Sequence, residues 1–206
     1  MPSTSTATLL KYRYAPVNLG KRSLIITNTN KRRGLTDSKY NERRSECEKA
    51  VELISEHHPI RNLSQLTVTD LWMVDEYIPD PVVRKRAKHV ITENGRTLEA
   101  IEALQNNDIE LLGDLMNRSH DSLCNDYEVT GPELDTLVYE GRRLPGVTGT
   151  RMTGAGFGGC TVSIVETAHA ENFMKKLGEI YLSGTGLTAD FYLPGIGDGA
   201  RRSLRP

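Results

Sequence analysis

The sequence predicts an α+β fold: a mostly antiparallel sheet with several helices packed on it. Three observations carry this reading. The glycine-dense stretch GVTGTRMTGAGFGGCTVSIV, residues 146–165, passes directly into the alternation Thr161-Val162-Ser163-Ile164, so it joins strand to strand. Between residues 41 and 138, apolar residues recur at helical spacing. The element order is strand, several helices, two strands, helix, strand, which suits helices layered on an antiparallel sheet. No internal repeat is visible.

Taken in order, Ser23–Asn28 (SLIITN) is short and apolar, as a buried strand should be. The polar, basic stretch from Asn28 to Lys39 reads as a loop. A helix is predicted from Asn41, because Cys47, Ala50, Val51 and Ile54 fall on one face. It ends near His57-His58-Pro59. Ile60–Tyr77 is short and mixed, with Asp70 as a candidate cap, and Pro79 and Pro81 break the chain again. Val82–Leu104 is a long helix with Ala87, Val90, Ile91, Leu98, Ile101 and Leu104 on one side. Asn106-Asn107-Asp108 turns the chain and caps a helix over Ile109–Leu123, which buries Leu112, Leu115, Met116 and Ser119.

Thr130-Gly131-Pro132-Glu133 reads as a helix start, with Thr130 as cap and Glu133 completing a capping box. Leu134, Leu137 and Val138 form that helix's apolar face. The glycine hairpin follows. A helix over Ala170–Leu182 then turns Phe173, Leu177, Ile180 and Tyr181 inward, Gly184 and Gly186 end it, and Asp190–Leu193 is a last strand.

The 206 residues are 37% hydrophobic and 26% charged, enough for one good core or two small ones. The net charge of −1 gives no case for nucleic acid. Charge is uneven, however: residues 1–50 carry 11 Lys+Arg against 4 Asp+Glu, and residues 51–140 carry 7 against 18. The acidic middle reads as the solvated side of helices. Three cysteines, an odd number without CxxC spacing, predict reduced thiols in the cytoplasm and neither a disulfide framework nor a zinc site. No stretch reaches the length of a membrane span. The opening MPSTSTATLL has no basic and long apolar pair of regions, so it is not a secretory signal, and residues 1–10 are expected to be disordered or atypical.

Gly154–Gly159 also fits GxGxxG, but a dinucleotide fingerprint opens a helix, and this loop opens a strand. His57-His58 suits a helix end electrostatically. His120 and Cys124 share a helical face without a third partner in sequence. Cys160 reads as a buried small residue. None of these makes a metal or nucleophile site.

Three blocks carry a resemblance: ITNTNKRRGLTDSKYNERRSECEKA at residues 26–50, LLGDLMNRSHDSLCNDYEVTGPELDTLV at 111–138, and RMTGAGFGGCTVSIV at 151–165. In content, order and spacing they resemble the galactokinase branch of the GHMP sugar kinases, over about residues 12–202. The resemblance implies a GHMP-kinase C-terminal-type domain over 11–206. It also implies transfer of the γ-phosphoryl of ATP to the anomeric hydroxyl of galactose with Mg²⁺. Tyr40 then matches a sugar-binding tyrosine, whose ring can pack on a sugar face while its OH reads a hydroxyl. The other reading of Tyr40 is a helix anchor. Gly154, Gly156, Gly158 and Gly159 match a phosphate-proximal loop, either an anion nest or a buttress for the nucleotide loop. Arg32, beside Arg33, is a possible phosphate contact or a solvated cation.

The resemblance also shows what is missing. No GEHTDY-like sugar signature, GLSSSAS-like phosphate loop or Met-Asp-Gln base segment occurs. The chain therefore reads as the C-terminal portion of such a kinase, without the N-terminal ATP and sugar half. It holds no catalytic residue and no metal ligands, and it is expected to be inactive alone. The main ATP and Mg²⁺ residues lie outside it. Partners implied are galactose, ATP and either the missing half or a second copy. The alternative is a non-catalytic sugar- or protein-binding module derived from the same family.

Overall fold

The computed structural model describes residues 3–6, 11–31 and 36–197. Its centre is a four-stranded antiparallel sheet of β3 (Arg22–Asn28), β4 (Val147–Thr153), β5 (Cys160–Glu166) and β6 (Asp190–Tyr192), in spatial order β4-β5-β3-β6. β3 and β5 pair along their full length, from Arg22 opposite Glu166 to Asn28 opposite Cys160. The pattern is a split βαβ arrangement. A separate two-stranded ribbon pairs β1 (Ser3–Thr6) with β2 (Lys11–Tyr14). The expectation of disorder over residues 1–10 otherwise falls on positions outside the described residues.

Helices α1 (Thr36–Ser55), α2 (Leu71–Tyr77), α3 (Pro81–Gln105), α4 (Ile109–Asn125), α5 (Pro132–Arg142) and α6 (Ala170–Thr185) complete the fold. The expected α+β architecture is what forms. One sheet face packs Ile25 and Val165 against Leu137 of α5 and Phe173, Leu177 and Tyr181 of α6. The other face packs Leu24 and Ile164 against Leu112 and Met116 of α4. A second core, with Ala50, Ile54, Val74, Ala87 and Ile91, closes α1, α2 and α3 on one another. α4 approaches β4 closely: a Cβ on Gly113 would lie 2.4 Å from the Thr148 carbonyl oxygen.

Several expectations need correction. α1 begins at Thr36, a turn earlier than Asn41. Leu98 is 46% exposed, and the buried face of α3 takes in Arg86, His89 and Arg96 beside Ala87, Ile91 and Ile101. Asp70 stands at the N-cap of α2 as expected, but its carboxylate turns back to accept from the Thr67 N–H and hydroxyl, closing the short 3₁₀ turn Val68–Asp70. Asp80 and Asp108 do cap, accepting from the first-turn N–H groups of α3 and α4. The cap of α5 is Gly131, not Thr130. Gly184 lies inside α6, and only Gly186, at φ 73°, ends it. Cys160 is half-buried. No helix among the described residues is long and apolar enough to cross a membrane.

Candidate functional site

The glycine loop between β4 and β5 is held from two sides. On one side, Thr29 at the end of β3 donates both its N–H and its hydroxyl to the Gly159 carbonyl, at 2.9 and 2.8 Å. On the other, the Phe157 N–H donates to the Val129 carbonyl at 2.8 Å. Positive φ runs through Gly154, Gly156, Phe157, Gly158 and Gly159. At Gly156 the reason for glycine is contact: an added Cβ would sit 2.0 Å from the Val129 oxygen. A Cβ on Gly158 would meet Lys31 only at 3.5 Å. Lys31 in turn donates to Glu133 at 2.6 Å. With Gly131 as the cap, Glu133 is the second residue of α5 and cannot complete a capping box; its carboxylate pairs with Lys31 instead.

The Val129 segment is itself braced. Arg43 of α1 donates to the Tyr127 and Glu128 carbonyls at 2.6 and 3.2 Å and pairs with Glu46 at 3.1 Å. Arg86 of α3 donates to Glu46, to the Asp126 carbonyl and to Glu128, at 2.8, 2.7 and 2.8 Å. Both guanidiniums are buried. Tyr127 stacks on His89 at 4.4 Å. Burial pushes the Tyr127 phenol and the Cys47 thiol up from their ordinary values. Burial also pushes His89 down to about 4.

Tyr40 lies on α1 one turn before Arg43 and is 59% exposed. The helix that presents this side chain to solvent therefore also braces the glycine loop. Arg32 lies outside the described residues. The sequence reading missed Lys31, Arg43 and Arg86. Lys31 and Arg43 stood within the block that carried the resemblance, but an arginine on an amphipathic helix ordinarily signals a solvated face.

His120 is fully buried, with Nε2 3.2 Å from Asp135, while its Nδ1 accepts from the Met152 N–H at 3.2 Å. Burial acts to raise the Asp135 carboxyl, but hydrogen bonds from His120 and Thr130 hold it below the usual range. The group ties α4 and α5 to β4 and has no open face for a substrate. Among the described residues, no three His, Cys, Asp or Glu side chains could hold a metal ion together.

The family description "GHMP kinases C terminal" matches residues 100–183. A galactokinase of Fusobacterium nucleatum subsp. nucleatum is 54% identical over 192 residues, covering 93% of this chain and 49% of that protein. One of Clostridium beijerinckii is 51% identical over 193 residues, covering 94% and 50%. The crystal structure of Lactococcus lactis galactokinase complexed with galactose superposes with a TM-score of 0.92 at 41% identity, over 96% of this chain and 51% of that one. Leishmania major mevalonate kinase, at 20% identity and a TM-score of 0.54, shares the fold. The chain spans about half the length of the curated relatives it matches. The resemblance drawn from the three blocks is borne out, and the match is to the C-terminal portion.

Proposed function

We propose that this chain, which carries a GHMP kinase C-terminal domain of the galactokinase type, is the C-terminal half of an enzyme that phosphorylates galactose. The reaction would move the γ-phosphoryl of ATP to the anomeric hydroxyl of the sugar. The observation that carries this reading is one shared brace in a chain that matches galactokinases over 93% of its length. Arg43 fixes the segment on which the glycine loop rests, and Tyr40 stands one turn away on the same helix.

In this reading the Tyr40 ring packs on the sugar and its OH reads a hydroxyl. The loop residues Gly154, Gly156, Gly158 and Gly159 keep the backbone low enough for a phosphate to pass. Lys31, held by Glu133, stands beside Gly158 of the loop, and Arg32 is the further cation this reading assigns to phosphate. Phosphoryl transfer depends on positioning and charge stabilisation. The base, the main nucleotide contacts and the metal ligands belong to the other half, so this chain alone is inactive. The free thiols Cys47, Cys124 and Cys160 suit the cytoplasm, to which we assign it.

The test is ADP release with ATP, Mg²⁺ and galactose, by the chain alone and by the chain fused to the N-terminal half of the Fusobacterium nucleatum galactokinase. The expected result is silence alone and turnover when fused. Tyr40→Phe in the fusion should raise KM for galactose about tenfold, the loss of one hydrogen bond to a polar ligand, and leave KM for ATP unchanged. Turnover by the chain alone, or a folded fusion without turnover, sinks the reading.

A further inference from the structure

Three elements meet around a hollow in the helical part of the chain. α1, the 3₁₀ turn Leu63–Gln65 and α3 enclose about 380 Å³. Its floor is formed by Cys47 and Val51 of α1, by Leu63 and by Val90. These side chains also border the core that closes α1, α2 and α3 on one another. Clefts of roughly 300–1,000 Å³, mostly apolar and with a few placed polar groups, hold small molecules. The turn that walls this one is already fixed. The Gln65 side-chain oxygen accepts from the Arg61 and Asn62 N–H groups at 2.6 and 3.3 Å, and the Ser64 hydroxyl donates to Asn62 at 2.7 Å.

The rim is unevenly charged. Arg44 pairs with Glu48 at 2.8 Å on the exposed side of α1. Arg61 is exposed on the turn, and among the described residues no carboxylate pairs with it. Two guanidiniums and one carboxylate thus border an apolar floor. A surface arginine facing water carries no meaning alone. Here one molecule could cover the floor and meet the charge together. The complementary ligand has a flat apolar body and a single anionic group, which a guanidinium takes through paired N–H donors. A cation would meet an excess of like charge.

The floor is joined to the glycine loop. Cys47 Sγ lies 3.9 Å from the Tyr127 hydroxyl. The Tyr127 carbonyl accepts from Arg43, and the Val129 carbonyl, two residues on, receives the Phe157 N–H. Burial raises the Cys47 thiol, so it serves as a neutral wall and not as a thiolate.

We propose that this hollow binds a small amphipathic anion, a flat ring system bearing one carboxylate, sulfonate or phosphate, and that its occupancy steadies the Tyr127 segment on which the glycine loop rests. Binding depends on this chain alone, and only a consequence for turnover would rest on the kinase reading. The occupant is a small molecule because the hollow is walled by three elements and is of ligand size.

The experiment is calorimetry of this chain with naphthalene-2-sulfonate, and with 2-naphthylmethylammonium as its cationic counterpart. The sulfonate should bind one to one, and the ammonium at least about tenfold more weakly. Arg61→Glu, a change at an exposed residue, should weaken the sulfonate about fivefold. Glu48→Gln releases Arg44 and should tighten it about twofold. Val51→Trp fills the hollow and should abolish binding; if that variant fails to fold, the two rim variants decide. Bound sulfonate should slow amide exchange at Phe157 at least about threefold. Equal affinity for the two probes, or sulfonate binding that neither rim variant changes, overturns the site, because uptake by other apolar surface would behave in that way. Displacement of the sulfonate by the separately made N-terminal half of the Fusobacterium nucleatum galactokinase also overturns it and assigns the hollow to that half. Binding that leaves Phe157 exchange unchanged overturns the link to the loop. The kinase reading is tested separately, by turnover of the fused chain.

Discussion

Replacing Gly156 by alanine tests whether the glycine loop is set by contact. The added Cβ would lie 2.0 Å from the Val129 oxygen and 2.9 Å from its carbonyl carbon. Neither atom is the free end of a flexible side chain. Phe157 donates to that same oxygen at 2.8 Å, so the loop must lift and break the bond. Losing it costs about 1 kcal/mol, and a Cβ at φ 86° adds about 1–2 kcal/mol. The expected destabilisation is about 3 kcal/mol, read as a shift in urea midpoint at constant m. Amide exchange at Phe157 should quicken, and the fused enzyme should lose on the order of 100-fold in kcat/KM if the loop is displaced by about 1 Å. Gly158→Ala is the control. Its φ of 122° brings backbone strain, but its Cβ would meet Lys31 at an ordinary 3.5 Å. It keeps the Phe157 hydrogen bond and should therefore cost less, by about 1 kcal/mol. Equal losses in the two variants, or a Gly156→Ala chain within about 0.5 kcal/mol of wild type, would refute the contact argument.

Two further outcomes follow from buried groups. His89 titrates at about 4 in the folded chain against an ordinary 6.5, because burial disfavours its charged form. The folded value is the lower one, so its contribution is complete above pH 6.5 and falls away as pH drops toward 4, by about 3 kcal/mol. Urea unfolding between pH 7 and 4 should show this slope in the wild type and a flatter one in His89→Phe; parallel slopes would exclude His89 as the source. Gly113→Ala sets helix propensity against packing. Propensity favours alanine by about 1 kcal/mol, whereas a Cβ 2.4 Å from the Thr148 carbonyl must push α4 off β4. Packing should win, lowering the unfolding free energy by about 1–2 kcal/mol, and a stabilised variant would show that α4 can slide.

Much of the fold was legible because its strands and helices obey periodicity. Ser23–Asn28, the hairpin around the glycine loop and the inward set Phe173, Leu177 and Tyr181 all lie where their patterns put them. The errors share a cause. Thr130 and Glu133 read locally as a cap, but α5 starts one residue later, at Gly131, and Glu133 pairs with Lys31, 102 positions earlier in the chain. Leu98 continues an apolar stripe, yet it is exposed while Arg86, His89 and Arg96 of the same helix are buried. Propensity describes a segment alone, and these residues answer to contacts across the fold. At the site, the glycine loop and Tyr40 were visible as motifs, whereas their common support was not.

That support has an energetic logic of its own. Arg43 and Arg86, both buried, meet Glu46 out of water and Glu128 at the surface, and apolar side chains of similar volume could often match the buried part in stability. Apolar replacements could not, however, hold three successive backbone carbonyls. Asp126, Tyr127 and Glu128 each give their oxygen to one of these guanidiniums, and the next carbonyl, that of Val129, receives the loop. Guanidinium donors have fixed directions, so they fix carbonyl directions in turn. The brace therefore sets where the glycine loop stands relative to α1 and Tyr40. A packed apolar contact would leave that register free to slip, and the reaction proposed above would lose rate steeply with a shift of about 1 Å.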